Sequence, residues 1–164
     1  MIAGMKMLVA LLSVALAGSA APLFAQANPR GEAKLSLAGK SIAVEYGRSS
    51  LKGRDMLGQA PVGQAWRMGA DKATTLMTEA DLAFGSTVVP KGEYTLTATK
   101  LDGGKWQLNV AGKDKAKVAE IPLDPSKLNE SVEVFTIELA GEQAKGVFSM
   151  SWGDVALKAP FTAK

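Results

Sequence analysis

Apolar residues alternate with polar or small ones in short runs throughout residues 28–164. The clearest pair of runs is 93–99 and 105–110, which the Asp102-Gly103-Gly104 turn joins. A period of two is typical of a β-strand with one buried face, and no window after residue 27 has the 3.6-residue period of a helix. Glycine, proline and aspartate separate the runs and favour tight turns. The pattern therefore predicts antiparallel strands joined by short turns.

About eight to ten such strands, each apolar on one face, must pair those faces to exclude water. The sequence predicts a single all-β domain over residues 28–164, an antiparallel β-sandwich, with a closed small barrel as the alternative. The apolar phase slips between Val134 and Phe135, which predicts a β-bulge. Residues 122–129 are rich in turn-forming types, so we expect a turn region there.

The first 27 residues have the organisation of a secretory signal peptide. Lys6 supplies the positive charge, 7–17 form an apolar segment, and Ala25-Gln26-Ala27 matches a small-x-small cleavage site. We expect cleavage after Ala27 and a periplasmic or secreted location, with no stable membrane insertion of the mature chain.

The chain has no cysteine and no histidine. Ser-His-Asp and Cys-His nucleophile systems and almost all zinc sites are therefore excluded, and we predict neither a metal nor a cofactor. The formal net charge is only +3, one unit of which is Lys6 of the leader. This balance does not predict a nucleic-acid partner.

A long basic loop, 46–75, interrupts the alternating pattern and is the candidate site. It carries four cations and a tryptophan within twenty residues, together with glycines that expose backbone N–H groups. Such cations can bind a carboxylate, phosphate or sulfate, and the indole offers a flat face to a sugar. We predict an anionic small molecule or a saccharide as partner, bound by Arg48, Lys52, Arg54, Trp66 and Arg67.

Other interpretations of the same loop stay open. Trp66 can close one end of the sandwich while Arg48 and Arg67 tie the loop to the strands. Asp71 can cap a turn, pair with Arg67 or act as a general base. Ser49 and Lys52 fit the Ser-x-x-Lys spacing of a nucleophile and its base, but the segment has no helical pattern to bring them together.

Several segments of the chain resemble an uncharacterised bacterial family, the domain of unknown function 2911. They are YGRSSLKGR, WRMGADKATT, PKGEYTL and KWQLNV, in that order. The chain departs from the family pattern at Ser49, where proline is usual, and at Val62, where an aromatic residue is usual. The resemblance implies an exported protein and assigns no activity.

Together these observations favour a non-enzymatic ligand-binding or interaction module. A carboxylate-dependent hydrolase that acts through an acid such as Asp71 is one alternative, and a purely structural envelope protein is another. The sequence does not specify an oligomeric state.

Overall fold

The computed structural model describes residues 29–164, so the predicted signal peptide lies outside the described residues. Ten strands and one 3-10 turn, Asp102–Gly104, make up the regular structure. The strands are β1 Arg30–Leu37, β2 Lys40–Gly47, β3 Ala65–Trp66, β4 Thr74–Thr78, β5 Leu82–Phe84, β6 Thr87–Val89, β7 Gly92–Lys100, β8 Trp106–Ala111, β9 Lys117–Glu142 and β10 Lys145–Ala163.

All ten strands belong to one antiparallel sheet that does not close. Its order is β1-β2-β4-β7-β8-β9-β10-β5-β6, and β3 pairs with β7 beside this path. The prediction of an all-β, antiparallel domain of eight to ten strands is confirmed, and the closed barrel is not formed. The strand β1 also lies against β9, although the two are not neighbours in the sheet.

Short turns join the hairpins that the alternating pattern predicted. Ala38 and Gly39 connect β1 to β2 with φ values of 50° and 77°, which are the left-handed angles of a tight two-residue hairpin turn. The 3-10 turn connects β7 to β8, whose Lys100 and Trp106 are paired across it.

The strand β9 corrects one sequence-based expectation and confirms another. The region 122–129 is not a turn, because the strand continues through it and changes partner there, from β8 to β10. The prolines fit because each can direct its nitrogen, which lacks a hydrogen, away from the paired edge. After β9 has changed partner, its pairing with β10 shifts register between the pairs Val132–Gly153 and Thr136–Ser151. The β-bulge predicted between Val134 and Phe135 lies within this interval.

The core is made by the inward residues of nearly every strand. Ile42, Val44 and Phe135 have no exposed surface, and Leu157 is equally buried. Among residues 29–164 the only two polar residues that are buried are Thr74 and Thr78, whose hydroxyls donate to backbone carbonyls. No helix in the described part of the chain is long and apolar enough to cross a membrane.

Candidate functional site

The basic loop is fixed to the bulge of β9 by backbone pairing. Ser50 forms an antiparallel bridge with Val134, the Leu51 amide donates to the Glu133 carbonyl at 3.0 Å, and the Phe135 amide donates to the Ser49 carbonyl at 2.8 Å. The Glu133 carboxylate accepts a further bond from the Lys52 amide at 3.0 Å. The bulge thus supplies the acceptors and donors that hold the first part of the loop.

A second set of contacts fixes the middle of the loop to the end of β7. The Lys100 ammonium donates to the Gly58 carbonyl at 2.7 Å, and the Gly63 amide donates to the Lys100 carbonyl at 2.9 Å. From Ala65 the chain forms β3, which pairs with β7 and so places Trp66 at the sheet. The loop also contributes buried side chains to the core, namely Leu51, Leu57 and Met68.

The two ends of the loop meet at a pair of glycines. A Cβ on Gly47 would lie 2.0 Å from the Ala70 carbonyl oxygen, and one on Gly69 would lie 2.5 Å from the Gly47 oxygen. Real Cβ atoms do not approach backbone this closely, so both positions require glycine. This contact explains the glycines in the YGR and WRMGA segments.

Trp66 lies in a cluster of aromatic rings that contains all three tryptophans of the chain. Its ring stacks on Trp152 at 5.7 Å with 12° between the planes. It meets Phe135 edge-on at 5.1 Å and Trp106 edge-on at 6.3 Å. Trp152 donates its indole N–H to the Glu133 carbonyl at 3.2 Å, so the same bulge orients this partner ring.

A cleft of about 350 Å³ opens beside this cluster. One wall is formed by the two stacked indoles, of which Trp66 is half-buried and Trp152 buried. The loop supplies the rest of the lining, with both apolar and polar side chains. The loop residues that line the cleft are Arg54, Asp55, Met56, Gln59, Ala60 and Pro61.

Two charged residues that line the cleft, Arg54 and Asp55, are held by local hydrogen bonds. Arg54 donates through Nε to the Leu51 carbonyl at 3.1 Å, and Asp55 accepts from the Gly58 amide at 2.9 Å. A guanidinium has five N–H donors, so this bond leaves its terminal nitrogens for other acceptors. No ion pair joins Arg54 to a carboxylate among residues 29–164.

The five residues predicted as ligand contacts do not share one cleft. Arg54 and Trp66 line the cleft beside the tryptophans, whereas Arg48 lines a separate one between β1 and β9. Lys52 is exposed at a turn with φ of 50°. Arg67 is also exposed and donates to the backbone carbonyl of Asp71, four residues along.

The acid that lines the tryptophan cleft is Asp55, not Asp71, which the sequence had placed nearest the site. Sequence reasoning also missed Trp152, because β10 lies far from the loop along the chain. Its alternation with Phe148 and Met150 indicated only an inward-facing core residue. The bulge predicted at Phe135 was the one local signal that pointed to this part of the molecule.

Comparison with protein families gives one match, to the family described as "Protein of unknown function (DUF2911)", over residues 28–161. The chain belongs to the DUF2911 family. Two of the residues that line the tryptophan cleft, Arg54 and Trp66, lie in the segments that carried the resemblance. No curated protein and no solved structure matches the chain.

Proposed function

We propose that this DUF2911 protein is a non-enzymatic binding module and that the cleft beside Trp66 and Trp152 binds a saccharide, with a preference for one that carries an acidic group. The observation that supports this most directly is that the half-buried Trp66 indole lines a cleft of about 350 Å³ together with Arg54, Asp55 and Gln59. That volume is within the range of small-molecule sites, roughly 300 to 1,000 Å³.

The aromatic and the polar residues that line the cleft suit the two chemical faces of a sugar. A pyranose ring presents C–H groups that pack on an aromatic surface, and its hydroxyls need hydrogen-bond partners around the edge. Gln59 has both a donor and an acceptor, Asp55 accepts, and Arg54 donates. Arg54 adds a charge-assisted bond to a uronic acid or a sulfate, which is stronger than a neutral one.

The carboxylate content of the cleft favours binding over hydrolysis. Glycoside hydrolases commonly use two carboxyl groups, an acid and a nucleophile or base. Asp55 is the one carboxylate among the described residues that line this cleft. Lys52 and Arg67 stay predicted anion contacts on the same loop, outside the cleft.

Intrinsic fluorescence gives a direct test, because every tryptophan of the chain lies in the cluster that forms the wall. Neutral, acidic and sulfated oligosaccharides are titrated into residues 28–164, and thermal stabilisation is measured in parallel. We expect an acidic oligosaccharide to change the fluorescence and raise the melting temperature.

Two cation variants locate the binding. Arg54→Gln is expected to lose most of the affinity, while Lys72→Gln, at an exposed cation of the same loop, retains it. Equal losses in the two variants would place the ligand on the wider basic loop rather than in the cleft. Failure of the whole panel to bind would overturn the saccharide proposal.

We also propose that the protein is exported and works in the periplasm or outside the cell. The leader-like residues 1–27 support this location. Expression of the full chain in a bacterium, followed by fractionation and intact-mass measurement, is expected to yield a species that begins at Asn28. A full-length species confined to the cytoplasm would contradict export.

The further proposal about the fold is that the single sheet bends over into the two facing layers of a sandwich. The packing of β1 against β9 and the partner change of β9 near Asp124 support it. An experimental structure is expected to show the apolar faces of β2 and β10 directed at each other.

A further inference from the structure

A second cleft, of about 450 Å³, lies between β1 and β9. Consecutive residues line it on both sides, 32–34 of β1 and 136–140 of β9. On the face of a strand only alternate residues would do so, so the cleft runs along the strand edges. Among residues 29–164, the edge of β1 opposite β2 has no ladder partner, and residues 136–142 of β9 pair only with β10.

The strand β9 directs backbone amide and carbonyl groups toward this cleft. The Phe135 amide points to this edge, because it donates to Ser49. The Ile137 carbonyl also points to it, because the Tyr46 hydroxyl reaches it at 3.5 Å, a long hydrogen bond. Alternate residues of an antiparallel strand direct their amide and carbonyl to the same edge, so those of Leu139 face the cleft as well.

Arg48 lines the same cleft, and its Nε hydrogen-bond donor is buried. Its Nε has no hydrogen-bond acceptor among the described residues, and its backbone amide is held by the Pro29 carbonyl at 2.9 Å. A buried polar atom without a partner is rare in folded proteins, since desolvation without a hydrogen bond is costly. The neighbouring Lys34 is already paired with Glu32 at 3.0 Å.

We infer that this cleft binds a short peptide by its C-terminal carboxylate. The carboxylate accepts from the Arg48 guanidinium, which offers parallel donors in the geometry that a carboxylate matches. The preceding amide of the ligand pairs with the open backbone groups of Leu139, as in recognition by strand addition. Because β1 lies in contact with β9, the ligand lies along the mouth of the cleft and no complete strand is inserted between them.

The side-chain N–H signals of arginine provide a test that is specific for this site. The chain has four arginines, so the Arg48 Nε–H resonance is assigned by its loss in Arg48→Lys. The probe is N-acetyl-alanyl-alanine with a free carboxylate, and the matched probes are its C-terminal amide and acetate. We expect the free acid to shift both the Arg48 Nε–H and the Leu139 backbone amide, the amide to shift neither, and acetate to bind about tenfold or more weakly.

Charge-preserving variants separate this site from the tryptophan cleft. Arg48→Lys keeps the charge but loses the fork of donors, so the affinity for the free acid is expected to fall at least about tenfold. Arg54→Lys, in the other cleft, is expected to leave it unchanged. If Arg48→Lys does not fold, the Arg48 Nε–H resonance is assigned in the unsubstituted protein by triple-resonance experiments. Its shift with the free acid and with the amide then tests the inference.

Three results would overturn the inference: no shift at Arg48 with the free acid, equal shifts with acid and amide, or an unmoved Leu139 amide. Concentration-dependent self-association that protects the Leu139 amide in the absence of peptide would also overturn it, because a second copy of the chain would then occupy the edge.

Discussion

At the scale of the residue, the backbone φ angle of Ala38 affects the stability of the turn in which it lies. Ala38 has φ of 50° in the turn between β1 and β2, where an L-residue with a Cβ is strained by about 1 kcal/mol or more. Asparagine tolerates this conformation better, because its short polar side chain bonds to nearby backbone.

Ala38→Asn is therefore expected to raise the free energy of unfolding by about 0.5–1 kcal/mol. Ala38→Val at the same position is expected to lower it, since a β-branched residue is least compatible with positive φ. Urea unfolding with an unchanged m-value measures both. A loss of stability in the asparagine variant would contradict the turn geometry.

Tyr94 lies in surroundings that shift its pKa. Its hydroxyl donates to the Pro90 carbonyl at 2.6 Å. Burial raises the pKa of Tyr94 above its usual 10.0, and the nearby negative charge of Asp81 raises it further. The fold thus favours the neutral phenol, so this contribution to stability is present below pH 10 and is lost as the pH rises through the raised pKa of the folded state.

The chain has two tyrosines, so Tyr46→Phe leaves Tyr94 as the only phenol to titrate. Its ultraviolet absorbance is expected to give a midpoint above 10.0. Adding Asp81→Asn, which keeps an oxygen for the Lys91 amide, is expected to lower that midpoint. A midpoint at or below 10.0 would contradict the prediction.

At the scale of the element, the loop depends on β9 more than on its own sequence. Glu133 uses its backbone carbonyl for the Leu51 amide and the Trp152 indole, and its carboxylate for the Lys52 amide. One residue of the bulge therefore orients both the loop and a wall of the tryptophan cleft.

Glu133→Ala is expected to lower the free energy of unfolding by about 0.5–1.5 kcal/mol, the usual net value of a hydrogen bond. Hydrogen exchange of the Lys52 amide is expected to accelerate more than that of the amides in the hairpin β1-β2. The control is Glu130→Ala, an exposed acid of the same strand. Equal exchange at Lys52 in the two variants would show that the carboxylate does not anchor the loop.

The strands were predictable from the sequence wherever one face alternates, as in β7 and β8. The interpretation failed at 122–129, because prolines that end an isolated strand are tolerated where β9 changes partner. The docking of Ser49–Leu51 on the bulge was not predictable, since backbone hydrogen bonds between residues about eighty positions apart leave no periodic signal. The cations of the loop pointed to a site, but the sequence did not show that Arg48 and Arg54 line different clefts while Lys52 and Arg67 line neither.

At the scale of the whole molecule, the aromatic cluster connects segments that are distant along the chain. Phe135 has no exposed surface and contacts Tyr46 at 5.6 Å, Trp66 at 5.1 Å and Trp152 at 5.5 Å between ring centroids. Its ring therefore joins β2, β3, β9 and β10. Because the loop, the bulge and the sheet share this contact, we expect them to unfold together.

Phe135→Ala is expected to destabilise the protein by about 3–5 kcal/mol, the cost of a buried phenylalanine that leaves a cavity. Urea unfolding is followed by tryptophan fluorescence, which reports on the cluster, and by far-ultraviolet circular dichroism, which reports on the sheet. The two midpoints are expected to coincide and to fall together in the variant, as they do in a two-state transition.

Val88→Ala, at a side chain that is 49% exposed, serves as the control and is expected to stay within about 0.5 kcal/mol of the unsubstituted protein. A fluorescence transition that precedes the loss of strand signal would mean that the tryptophan cleft opens while the sheet persists, and the site would then be a separately folding part of the molecule.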